Sequence, residues 1–114
     1  MESNNNDYSP DKWVIVELKY ENDTVYKILA SWYGGFGGSD QWRLSSGAVQ
    51  VTEYDNHYEI LNESGSVYYC YKNAEGFSVY SSGIYERFEK SVLEDNSYKI
   101  SRITIKELET ALLK

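Results

Sequence analysis

Apolar positions in this chain recur at every second residue up to about position 80 and then change to helical spacing. That switch predicts a sheet built by the first two-thirds of the chain and helices at its end. Val14, Val16, Leu18 and Tyr20 fall on one face of a first strand, with Trp13 and Ile15 on the other, and Glu21, Asn22 and Asp23 supply turn chemistry. The second arm of that hairpin puts Tyr26, Ile28, Ala30 and Trp32 on one side and Val25, Leu29 and Tyr33 on the other, a pattern that predicts cover on both faces. Trp42 and Leu44 restart the alternation after a glycine-rich interruption. Shorter strands are predicted near Val49 to Tyr54, His57 to Leu61, Val67 to Tyr71 and Phe77 to Tyr80. Asp55-Asn56, Glu63-Ser64-Gly65 and Asn73-Ala74-Glu75-Gly76 separate them.

A first helix is predicted from about Ile84 to Glu94, with Ile84, Phe88 and Val92 on one stripe and Ser82 or Gly83 at its start. Tyr98 to Ile103 alternates as a last strand. Thr104 and Glu107 then have capping-box spacing ahead of Leu108, Ala111 and Leu112, which predicts a second helix. The fold class expected is α+β: an antiparallel sheet of six or seven strands with one or two C-terminal helices packed on one face. Its core should contain Val16, Leu18, Ile28, Trp32, Phe88 and Leu108. Residues 1–11, polar and rich in Asn, are expected to be a flexible N-terminal segment, and residues 12–114 one domain.

Composition adds a surface to this scaffold. The 114 residues carry 18 Asp and Glu against 11 Lys and Arg, a net charge of −7, together with 12 Tyr and 3 Trp. Such a surface repels nucleic acid and anionic membrane while offering side chains that make protein contacts. No stretch reads as a signal peptide or approaches the length of a membrane-crossing helix, and Cys70 is the only cysteine, so a reducing cytoplasm is the compartment expected.

The glycine-rich segment Trp32-Tyr33-Gly34-Gly35-Phe36-Gly37-Gly38-Ser39-Asp40-Gln41-Trp42 lacks the helix and the lysine of a phosphate cradle. It reads either as a wide hairpin loop with glycines at positive φ or as a ligand-contact loop. In the second case Phe36 would be an anchor, or a sugar ring would lie against Trp32 or Trp42. The acidic run Glu53 to Glu63 suggests a carboxylate stripe, which turn parity tests. A two-residue turn at Asp55-Asn56 pairs Val51 with Ile60 and Glu53 with Tyr58, so Glu53 and Glu59 face opposite ways and no continuous stripe forms. With His57 as the only histidine and Cys70 in acidic, aromatic surroundings, neither a thiol enzyme nor a transition-metal cluster is expected, and no cofactor motif is present.

The segments Trp32-Tyr33-Gly34-Gly35-Phe36 and Ser64-Gly65-Ser66-Val67-Tyr68, with the size, acidity and tyrosine content, resemble small accessory proteins of bacteriophages. Those with known roles include anti-CRISPR and anti-restriction inhibitors. The resemblance implies an acidic single-domain protein, in the host cytoplasm, that works by occupying a surface of a host protein, including surfaces meant for nucleic acid. The function expected is thus a non-enzymatic protein-binding inhibitor or adaptor with no direct nucleic-acid contact. Phe36, Asp40, Glu59 and Glu63 are the candidate partner-binding residues. A carbohydrate or small-ligand module using Trp32, Trp42 and the glycine loop is the alternative.

Overall fold

A computed structural model describes residues 7–35, 37–95 and 97–113. Its strands are β1 (Asp7–Tyr8), β2 (Lys12–Tyr20), β3 (Asp23–Trp32), β4 (Gln41–Leu44), β5 (Ala48–Glu53), β6 (His57–Asn62), β7 (Val67–Tyr71) and β8 (Tyr98–Ile103). Helix α1 spans Val79–Glu94 and helix α2 spans Ile105–Leu112. The α+β class is as the sequence indicates, but the strands divide into two sheets of four, in the orders β1-β7-β6-β5 and β4-β3-β2-β8. Within them all pairings are antiparallel except β1 with β7, where Asp7 faces Val67 and Tyr8 faces Tyr68.

The alternation in β2 explains how the layers stack. Trp13 and Ile15 point into a core shared with Ile28, Ala30, Tyr58, Ile60, Tyr68, Cys70 and, from α2, Ile105 and Leu108. This cluster glues the inner faces of the two sheets together. Val14, Val16 and Leu29 point the other way, against Ile84 and the half-buried Phe88 of α1. The central hairpin β2–β3 is therefore covered on both faces, and the two helices lie on opposite faces of its sheet instead of sharing one. Of the six core residues expected, Val16, Ile28 and Leu108 are fully buried and Leu18, Trp32 and Phe88 are half-buried. Trp13, with no exposed surface, is the largest core side chain, and its indole N–H donates to the Tyr71 carbonyl across the sheets at 2.8 Å.

Helix α1 begins earlier than the sequence pattern suggests, and Phe77 to Tyr80 forms no strand. Ser78 is its N-cap: the hydroxyl accepts from the Ser81 amide, and the Ser81 hydroxyl accepts from the Ser78 amide at 2.9 Å. Serine fills both halves of a capping box in which glutamate normally takes the second, so the motif is easily read as turn sequence. At α2 the box formed by Thr104 and Glu107 is the one expected. β1 lies inside the segment 1–11: Tyr8 sits 4.9 Å from the Tyr68 ring, and the Trp32 indole donates to the Ser9 carbonyl at 3.0 Å.

Candidate functional site

The turn at Asp55-Asn56 sets the site. Tyr54 N–H donates to the His57 carbonyl at 2.8 Å, closing a two-residue hairpin, and the register pairs Val51 with Ile60 and Glu53 with Tyr58. Parity then sends Tyr58 and Ile60 into the core and turns His57 and Glu59 to the outer face of the β1-β7-β6-β5 sheet. The neighbouring strand aligns His57 with Tyr71 and Glu59 with Tyr69, so those tyrosines face outward too. Asp7 of β1 joins them through its pairing with Val67.

The result is an aromatic platform with acid at its margins. The His57 ring lies 4.8 Å from the Tyr54 ring, 8° from parallel, and 5.4 and 6.3 Å from Tyr71 and Tyr69. Its Nε2 is 3.3 Å from Glu59 Oε2 and its Nδ1 is 2.9 Å from Asn56 Oδ1, so both ring nitrogens are held. Tyr69 donates to Asp7 Oδ2 at 3.4 Å. Partial burial, and after it the negative Asp7 and Glu59, push the Tyr69 phenol above its ordinary value of 10.0. Tyr54 and Tyr71 remain 46% and 41% exposed.

The residues singled out from sequence fare differently. Glu59 belongs to this platform. Glu63 does not: it lies beyond the end of β6 in the turn Glu63-Ser64-Gly65, with its carboxylate packed over Gly47, so it shares no strand face with Glu59. Asp40 is half-buried and accepts the Gly34 amide at 2.9 Å, which ties the glycine loop closed. In that loop Gly35 and Gly37 take positive φ, as a wide hairpin loop requires. Phe36 lies outside the described residues.

Trp32 and Trp42 both line a groove of about 390 Å³ at the β4 edge, with Tyr8, Gln41 and Arg43 among its walls. The register pairs Trp32 with Gln41 and Ser31 with Trp42, which puts the two indoles on opposite faces. Trp32 meets Tyr8, whereas Trp42 meets Phe88 of α1 edge-on at 5.5 Å. They cannot sandwich a ring between them.

Cys70 faces inward, pairs with Tyr58 and is fully buried, and its burial pushes the thiol well above its ordinary range. His57 is on the other side of the same sheet, so the two cannot form a nucleophile and base pair. Among the described residues no three His, Cys, Asp or Glu side chains converge to hold a metal ion, and no helix is long and apolar enough to cross a membrane.

The platform residues Tyr54, Tyr69 and Tyr71 were not singled out by sequence reasoning. The signal was present: once the Asp55-Asn56 turn fixes parity, every second residue from His57 and from Val67 shares the outer face. No family model, curated protein or solved structure matches this chain.

Proposed function

We propose that this protein is a non-enzymatic protein-binding inhibitor or adaptor whose outer sheet face occupies a basic surface of its partner. The observation that carries the reading is the Tyr54–His57–Tyr71 cluster, in which large rings are exposed on a rigid strand scaffold beside Glu59 and Asp7. Tyr71, fixed by strand pairing, and Tyr54, stacked on His57, lose little side-chain freedom on binding, and aromatic residues are the usual energetic centres of interfaces. The acidic margin supplies complementarity to lysine and arginine, including those of a nucleic-acid-binding surface, and steers the encounter. Through the sequence resemblance to bacteriophage accessory proteins, the partner proposed is a host defence protein. Asp40 and Glu63 drop out of this surface.

Affinity capture from host lysate, comparing the native chain with Tyr54→Ala/Tyr71→Ala and with Glu59→Lys, tests the reading. A specific partner should be retained by the native chain, lost by the double variant, and released as salt rises from about 0.1 M to about 1 M, where screening shortens to about 3 Å. If both folded variants capture the same proteins with the same salt dependence, this face is not the binding surface.

The carbohydrate reading draws on the groove at β4, where Trp32, Tyr8 and Arg43 offer a single aromatic wall. Saturation-transfer measurements with oligosaccharides, repeated on Trp32→Ala, separate it from the first.

A further inference from the structure

The register of β3 with β4 pairs Ala30 with Arg43 and Trp32 with Gln41, so Trp32, Gln41 and Arg43 project from the sheet face that meets the other sheet. They stand at the rim of the inter-sheet core, where the groove of about 390 Å³ opens beside β1. The Trp32 indole is anchored at its N–H by the Ser9 carbonyl, 3.0 Å away, and its ring lies 6.3 Å from that of Tyr8. The Arg43 guanidinium lies 4.6 Å from the centre of the Tyr8 ring, and Tyr8 in turn rests on Tyr68 at 4.9 Å.

Two donors at this corner lack an acceptor. Tyr68 is fully buried, and its hydroxyl finds no hydrogen-bond partner among the described residues. Burial pushes that phenol up to about 12, and the positive charge of Arg43 is the main influence opposing burial, which places the guanidinium near a hydroxyl that keeps its proton. No carboxylate lies within ion-pair distance of Arg43 among the described residues. Asp7 lines the groove, yet its carboxylate accepts from the Tyr69 hydroxyl at 3.4 Å on the outer sheet face.

We propose that this groove binds a small ring-bearing monocarboxylate, with the carboxylate on the Arg43 guanidinium and the ring against Trp32. The planar fork of an arginine matches a carboxylate through two parallel N–H···O bonds, and stacking on Tyr8 sets the plane of that fork before the ligand arrives. The anchored Trp32 indole supplies a fixed face for the ring. The carboxylate oxygens bring acceptors to a corner whose facing groups are donors. A dianion such as phosphate is disfavoured, because its second charge meets Asp7 and a chain of net charge −7. The groove volume falls within the roughly 300–1,000 Å³ of small-ligand sites. The carboxylate can be carried by a sugar acid or by an aromatic acid, so the inference does not need the carbohydrate reading to hold. It shares only Asp7 with the aromatic platform and requires no protein partner.

The test titrates the full chain with glucuronate and benzoate at constant ionic strength, each against an uncharged counterpart, methyl glucoside and benzyl alcohol, and follows the Trp32 indole N–H and the β4 amides by NMR. At least one acid should bind at least about tenfold more tightly than its uncharged counterpart and than acetate, which has no ring; which acid it is separates the sugar source from the aromatic one. Arg43→Gln, shown to be folded by circular dichroism, should bring that acid to the level of its uncharged counterpart. Arg87→Gln, which removes the same charge from an exposed position on α1, should leave the affinity within about twofold. The inference is overturned if neither acid binds, if acetate or inorganic phosphate binds as tightly as the better acid, if both variants weaken binding equally, or if the shifts map away from Trp32 and β4. Methyl glucoside binding as tightly as glucuronate, with benzoate no tighter than benzyl alcohol, would overturn it while leaving the carbohydrate reading in place.

Discussion

Tyr54 and His57 stack face to face across the Asp55-Asn56 turn, 4.8 Å apart and 8° from parallel, so the residues that close the hairpin also build the exposed platform. Aromatic pairs contribute about 0.5–1.5 kcal/mol beyond their buried area. Tyr54→Ala should therefore lower unfolding free energy in urea by about that amount, while Asp55→Ala, which touches no ring of the platform, changes it by less than about 0.5 kcal/mol. Equal losses from both variants would show that the turn, not the stack, is the stabilising element.

Trp13 joins the two sheets through packing and through its bond to the Tyr71 carbonyl, with no surface left exposed. Trp13→Ala should cost roughly 3–5 kcal/mol, enough to leave much of a small domain unfolded. Leu18→Ala, which removes a half-buried side chain beside an open pocket, should cost less than that range. Chemical denaturation of the two variants checks the order.

Both helices start at reciprocal caps, one exposed and one buried. Thr104→Ala should cost roughly 0.5–2 kcal/mol, and Ser78→Ala should fall at or above the upper end, because it leaves the buried Ser81 amide without the hydroxyl that accepts from it. Thermal melts with an unchanged midpoint for Ser78→Ala would show that α1 does not depend on this cap.

Glu53 accepts from Lys72 at 2.7 Å and from Lys106 at 3.2 Å, and these two bonds hold its carboxyl below the ordinary 4.5. A depressed folded-state value means that the pairing stabilises the protein above about pH 4.5 and that this contribution fades as pH falls through the depressed value. Glu53→Gln should accordingly lower the melting temperature at neutral pH and bring it towards that of the native protein in acid. A constant difference across the whole acid limb would assign the effect to something other than this carboxylate.

How far the sequence reaches is clearest in β5 and β6. Period-two alternation and a two-residue turn fix the pairing of Val51 with Ile60 and Glu53 with Tyr58, because one residue of slippage would expose the core face. The same local logic gives the span Val67–Tyr71, the span Tyr98–Ile103 and the cap at Thr104. Each of these depends on neighbours a few residues apart, which the linear pattern contains. Alternation states which residues share a face but not what covers it, so the division into two sheets, and the placing of α1 and α2 on opposite sides of β2, were decided by tertiary packing around Trp13 and Val16. Phe77 to Tyr80 alternates like a strand and became the entry to α1 because Ser78 is buried where it can cap the helix beside Ser31, 3.4 Å away. The platform has the same origin: His57, Tyr69 and Tyr71 are brought together only when β6 and β7 pair, while Asp40 and Glu63 are held in loops outside that face, Asp40 by the Gly34 amide and Glu63 beside Gly47.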